Sequence, residues 1–131
     1  MMRRFHDAAV AGADEVTVWG SGRPRREFLH ADDLAEALVL LMDAYEETTF
    51  INVGTGEDCT IAELAAMIAE AVGFAWRIVF DTSKPDGTPR KLLDVSHIHA
   101  LGWLARIPLR DGLHSTYEWA LANRVFESSP Q

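Results

Sequence analysis

Apolar positions along the chain alternate between a helical period and a two-residue period. Residues 2–11 set Phe5, Ala8 and Ala9 on one side of a helix, with Gly12 as its stop. Val16 and Val18 follow the two-residue period and predict a strand, which breaks at Gly20-Ser21-Gly22-Arg23-Pro24. The short run 27–30 reads as extended chain. Asp32 or Asp33 is placed to cap a helix running to about Tyr45. Within it, Ala37-Leu38-Val39-Leu40-Leu41-Met42 is apolar all round, the mark of a helix covered on more than one face. Residues 50–53 read as a buried strand ended by Gly54-Thr55-Gly56. Thr60 and Glu63 have capping-box spacing. The helix they open carries Ile61, Leu64, Ala65, Ile68 and Val72 at helical intervals, and Gly73 ends it. Residues 77–80 predict a further strand, 81–89 a loop of turn formers, and 95–101 and 109–125 two closing helices. Residues 128–131 read as a frayed end. Strands interleaved with helices give an α/β unit, or α+β for the piece taken alone, organised as one domain over residues 1–131.

Composition narrows the function. Hydrophobic residues make up 48% and charged residues 24%, an ordinary globular balance. The net charge of −8 repels polyanions and argues against a nucleic-acid partner. No apolar run approaches the ~20 residues that cross a bilayer, so no membrane role is expected. Asp7, Asp14 and Glu15 interrupt the stretch after the basic opening residues, which excludes a signal-peptide core. A single cysteine, Cys59, allows no internal disulfide and suits a reducing cytoplasm. Positive charge is unevenly spread: Arg3, Arg4, Arg23, Arg25, Arg26, Lys84, Arg90 and Lys91 fall in three short clusters. Such clusters are either a pocket for a small anion or solvated loop charge.

Two stretches carry candidate chemistry. In 19–28, glycines let the backbone turn sharply, Trp19 offers a flat apolar face, and Arg26 offers a planar fork for phosphate oxygens. The alternative is a surface turn with Trp19 in the core. In 83–91, Lys84, Arg90 and Lys91 flank a Pro-Asp-Gly turn that either closes over a diphosphate or stays solvated. Gly54-Thr55-Gly56 is no dinucleotide fingerprint, because it has no third glycine and its acidic neighbours would face a phosphate. The five histidines show no metal-ligand spacing. Cys59 precedes a helix, where its pKa is either lowered or that of an inert buried thiol. Asp32 and Asp33 read as cap residues, and no catalytic constellation emerges.

Several runs together resemble the GDP-L-fucose synthase family. They are Arg3–His6, Val18–Gly22, Arg26-Glu27-Phe28-Leu29-His30-Ala31-Asp32-Asp33, Ile51–Gly56, Cys59–Ile61, Lys84–Asp94 and Leu101-Gly102-Trp103, with similarity ending near Asn123. The Arg-Glu-Phe-x-His-x-Asp-Asp run alone indicates only an extended short-chain dehydrogenase/reductase. Lys84-Pro85-Asp86-Gly87-Thr88-Pro89-Arg90-Lys91 is specific to the fucose synthase branch. The resemblance implies the C-terminal substrate-binding part of such an enzyme, with elements that complete its Rossmann domain. It implies that Arg4, Trp19, Arg26 and Lys91 contact the GDP portion, and that Lys84 faces the phosphates. That family converts GDP-4-keto-6-deoxy-D-mannose to GDP-L-fucose with NADPH, and a homodimer is implied for its full-length members. Its glycine-rich cofactor loop, Ser and Tyr-x-x-x-Lys set and acid/base Cys and His match nothing here and are expected upstream of Met1. Catalytic, cofactor and metal residues are therefore expected to be none, NADP(H) is not expected to bind this chain alone, and a separately encoded N-terminal half is an expected partner. The alternatives are a non-catalytic nucleotide-sugar-binding module and a piece of a related nucleotide-sugar epimerase/dehydratase.

Overall fold

The computed structural model describes residues 1–127, so the expected frayed end at 128–131 lies outside the described residues. Helix α1 (Met2–Ala11) ends at Gly12, whose left-handed φ of 64° closes the last turn. Strand β1 (Glu15–Trp19) buries Val16 and Val18 and turns Glu15, Thr17 and Trp19 outward, as its two-residue period requires. It pairs in parallel with β4 (Arg77–Asp81), Glu15 opposite Arg77 and Trp19 opposite Asp81. Between them in sequence lie β2 (Arg25–Arg26), α2 (Ala31–Ala44), β3 (Cys59–Thr60) and α3 (Ile61–Val72). After β4 come β5 (Arg90–Lys91), α4 (Ser96–Ala100) and α5 (Leu109–Ala122). The short strand β2 forms the centre of a second sheet, antiparallel to β3 and parallel to β5.

Two apolar clusters hold these elements. The first joins Phe5, Val16, Val18, Leu64, Ala65, Ile68, Ala69 and Phe74, and thus α1, β1 and α3. Phe5 is fully buried and meets Phe74 edge to face at 5.6 Å. Burying such a ring contributes about 2 kcal/mol. The capping box opens α3 as expected: Thr60 accepts from the Glu63 amide at 3.0 Å, and Glu63 accepts from the Thr60 amide at 2.7 Å. The second cluster joins Ala37, Val95, Ile98 and Trp103 beneath α2 and α4.

Several expectations are corrected. The N-cap of α2 is His30, whose Nδ1 accepts from the Asp32 amide at 3.2 Å. Asp33 is instead buried, its carboxylate accepting from the Arg106 and Ile107 amides at 3.0–3.2 Å. A carboxylate that satisfies loop amides inside the protein is worth more there than as an exposed cap. Residues 50–53 form no strand: a strand needs a ladder partner, and none pairs with them among the described residues. Ile51 and Val53 still pack on the second cluster, while Phe50 is 91% exposed. The run 27–30 lies outside the ladder, which ends at Arg26. The last helix stops at Ala122 rather than 125, and Arg3 of α1 holds the following turn by donating to the Val125 and Phe126 carbonyls.

Candidate functional site

The site is organised by the segment from the end of β4 to β5. Its ends are fixed by backbone bonds, Gly20 N–H to Asp81 O at 2.9 Å and Arg25 N–H to Pro89 O at 2.8 Å. Near its start, Lys84 sets its ammonium 5.7 Å from the centroid of Trp19. Arg4 reaches the same ring at 5.9 Å, steadied by a bond from Nη1 to the Thr17 carbonyl at 2.8 Å. Trp19 is 66% exposed, which settles its two readings against the core. An aromatic face flanked by two cations suits a planar, anionic ligand.

At its other end the segment delivers Lys91 beside Arg26, since these two are register partners in the parallel β2–β5 pair. Their neighbours Arg25 and Arg90 form the adjacent pair and point the other way. There the Asp58 carboxylate, its side chain 4% exposed, accepts from both Arg25 and Arg90. The bonds from Arg90 and then Arg25 hold the Asp58 carboxyl below the usual carboxylate range. Arg26 donates to the Arg25 carbonyl at 2.6 Å, and neither it nor Lys91 has a carboxylate partner among the described residues. Arg26 also borders a cleft of about 450 Å³ lined by Phe28, Asp58, Cys59, Arg106 and Leu109, within the size range of small-molecule sites. The expected residues thus fall into two groups, Arg4–Trp19–Lys84 and Arg26–Lys91, joined by one segment.

Sequence reasoning missed Glu27, the residue that braces this arrangement. Its Oε1 accepts from the Thr55 and Gly56 amides at 2.6 and 2.7 Å, and its Oε2 from the Leu93 amide at 3.0 Å. Gly54 is required at this turn because a Cβ would lie 2.5 Å from Glu27 Oε1. No sequence spacing links 27 to 55 and 93, so only the folded chain reveals the contact. It also decides the fit of a dinucleotide: the amides of the 54–56 turn that would cradle a pyrophosphate are occupied by a carboxylate. The residues present do not fit NADP(H) at that turn.

Other candidate chemistry is excluded by geometry. His30 Nε2 lies 3.4 Å from Ser115 Oγ, and Asp32 is close to Nδ1 at 3.7 Å. This resembles a nucleophilic triad, but Nδ1 accepts the Asp32 amide proton, so the neutral ring carries its proton on Nε2. A ring so protonated cannot take the Ser115 proton. Cys59 is half-buried, and burial pushes its thiol pKa up, with Glu63 adding to the effect, so it is no activated nucleophile. No cluster of three or more His, Cys, Asp or Glu among the described residues is arranged to hold a metal.

The model of the NAD dependent epimerase/dehydratase family matches residues 1–54. GDP-L-fucose synthase 1 of Arabidopsis thaliana is 54% identical over 123 residues, 94% of this chain and 38% of its own length. GDP-L-fucose synthase of Escherichia coli K12 is 54% identical over 133 residues, 95% of this chain and 41% of its own length. The chain therefore spans about two-fifths of the curated relatives it matches. In structure it superposes on a GDP-L-fucose synthetase from Naegleria fowleri with a TM-score of 0.90 at 29% identity, covering 99% of this chain and 40% of that one. The same enzyme bound to NADP gives 0.88 at 30% identity over 95% of this chain and 39% of that one. The fold is the α/β fold of extended short-chain dehydrogenases/reductases. Over nearly its whole length the chain is similar to GDP-L-fucose synthases, and its first 54 residues match the NAD dependent epimerase/dehydratase family.

Proposed function

We propose that this chain is the GDP-sugar-binding part of an enzyme that epimerises GDP-4-keto-6-deoxy-D-mannose and reduces it to GDP-L-fucose. The observation that supports the reading best is the single segment that sets Lys84 at the Trp19 ring and Lys91 beside Arg26. In this reading Trp19 stacks on the guanine, and Arg26 and Lys91 take the diphosphate, with Arg4 and Lys84 adding positive charge. Arg26 supplies a bidentate fork, and Lys91 a mobile point charge. NADPH supplies the hydride in the whole enzyme. This chain binds and orients the nucleotide, acting as one unit over residues 1–131, in a cytoplasmic setting where Cys59 stays reduced.

The chain alone turns over no substrate in this reading. Hydride transfer requires a cofactor beside the sugar, and epimerisation a placed acid and base. Both come from a cofactor-binding half, encoded with this chain or apart from it, in an assembly that is dimeric when complete. The exposed apolar residues Leu38, Val39, Met42 and Phe50, 51–91% exposed, support a surface that this half covers.

A second reading keeps the nucleotide and changes the sugar. A GDP-mannoheptose C4 reductase from Campylobacter jejuni is 38% identical with a TM-score of 0.75, covering 92% of this chain and 43% of its own. The GDP-L-colitose synthase of Yersinia pseudotuberculosis is 35% identical over 92% of this chain and 40% of its own length. Equilibrium dialysis against GDP, GMP and guanosine tests what the readings share. Affinity that falls in that order, and is lost in Arg26→Ala, supports a diphosphate clamp; equal affinity for all three removes it.

A further inference from the structure

The segment 82–89 crosses a gap between β4 and β5, and a carboxylate fastens its middle. Asp86 Oδ1 accepts from the Ser21 amide at 2.7 Å, and Asp86 Oδ2 accepts from the Ser21 hydroxyl at 2.6 Å. The same hydroxyl oxygen accepts from the Arg23 amide at 3.2 Å, so Ser21 relays the hold into the following turn. Gly20 makes the approach possible on two counts. Its φ is +85°, and a Cβ there would lie 2.5 Å from Asp86 Oδ1. The next residue, Gly87, lies against Arg26, since a Cβ added to it would sit 3.2 Å from Nη2. Lys84, two positions before, lies beside the Trp19 ring. A carboxylate at the centre of a cationic region weakens anion binding by its charge alone, so its presence there needs another explanation.

We propose that Asp86 is a positioning residue, which clamps the strap 82–89 onto the 20–22 turn and so holds Lys84 and Arg26 in the arrangement that takes a nucleoside diphosphate. The choice of ligand rests on the function proposed above; the clamp does not. The two bonds from Ser21, the hydroxyl first, hold the Asp86 carboxyl below the usual carboxylate range, so the clamp is an ionised one at neutral pH. Asp86 is exposed and Ser21 only half-buried, so removing the clamp leaves both apolar clusters intact.

The sign of one substitution separates a clamp from a bystander charge. Asp86→Asn removes a negative charge from beside the cations, and as a bystander it would tighten GDP binding. As a clamp it loses the acceptor for the Ser21 hydroxyl, and GDP binding weakens, on the order of tenfold for a lost charge-assisted bond. Amide exchange on the full chain without ligand reads the clamp directly. The Ser21 and Lys84 amides should exchange on the order of tenfold faster in Asp86→Asn, while the α3 amides are unchanged. Ser21→Ala should reproduce part of both effects, and it serves alone if Asp86→Asn fails to fold. Unchanged exchange at Ser21 and Lys84 overturns the clamp, and so does equal or tighter GDP binding by Asp86→Asn. Absence of GDP binding by the unsubstituted chain removes the nucleotide reading instead, and the exchange rates then decide the clamp.

Discussion

Arg25 and Arg26 follow one another on β2, and the pleat sends them to opposite faces. Arg25 shares the Asp58 carboxylate with Arg90, whereas Arg26 borders the cleft without a carboxylate partner among the described residues. The two substitutions should therefore separate. Arg25→Ala leaves a buried carboxylate half-satisfied and should lower the melting temperature, whereas Arg26→Ala should leave it within a degree or two and abolish nucleotide binding. Asp58 also sets a pH dependence. Its carboxyl is held below its ordinary value of 3.8 by the two arginines, so the folded state favours the ionised form. The stability it contributes is complete above that ordinary value and is lost as pH falls below it. Melting curves between pH 3 and 7 should fall toward acid, and Asp58→Asn should flatten that fall while lowering stability at neutral pH. In the core, Phe5→Ala should cost about 3–5 kcal/mol by denaturant titration, because α1 and α3 lose their shared ring.

Local signals specified most of the elements. The Thr60–Glu63 box, the two valines of β1 and the glycines after α1 and α3 each act within a few residues, and each stands where its spacing places it. Thr60→Ala should accordingly cost α3 about 1 kcal/mol. The elements misread are those whose structure depends on distant partners. Residues 50–53 have strand composition without a ladder partner, and Asp33 left its cap position for amides 73 and 74 residues away. The candidate site divides in the same way. Trp19, Arg26 and the 84–91 run were legible as ligand-binding residue types, but the register that frees Lys91 and commits Arg90 was not. Glu27 and Asp86 do their work across 66 and 65 residues, beyond any spacing rule. Helix α2 shows the cost of its all-round apolar run, with Leu38, Val39 and Met42 exposed. Replacing Leu38 and Met42 by Lys should reduce concentration-dependent association in sedimentation without lowering the melting temperature. A concentration-independent monomer before substitution would contradict that apolar face as a driver of association.

At the scale of the whole molecule, the chain joins a cationic face, proposed above to bind a nucleotide, to an exposed apolar face on α2. It spans about two-fifths of the curated relatives it matches, and in the proposed function it binds the nucleotide without turning it over. Purified alone, it should show no NADPH oxidation with a GDP-4-keto sugar; detectable turnover would refute that division of labour. The most direct test of the central claim is calorimetric titration of the chain with GDP-mannose, with UDP-glucose as the control. Saturable binding of the guanine nucleotide alone is the predicted result. Equal binding of both sugars, or none by a chain shown to be folded, would contradict the assignment of this face to GDP-sugars.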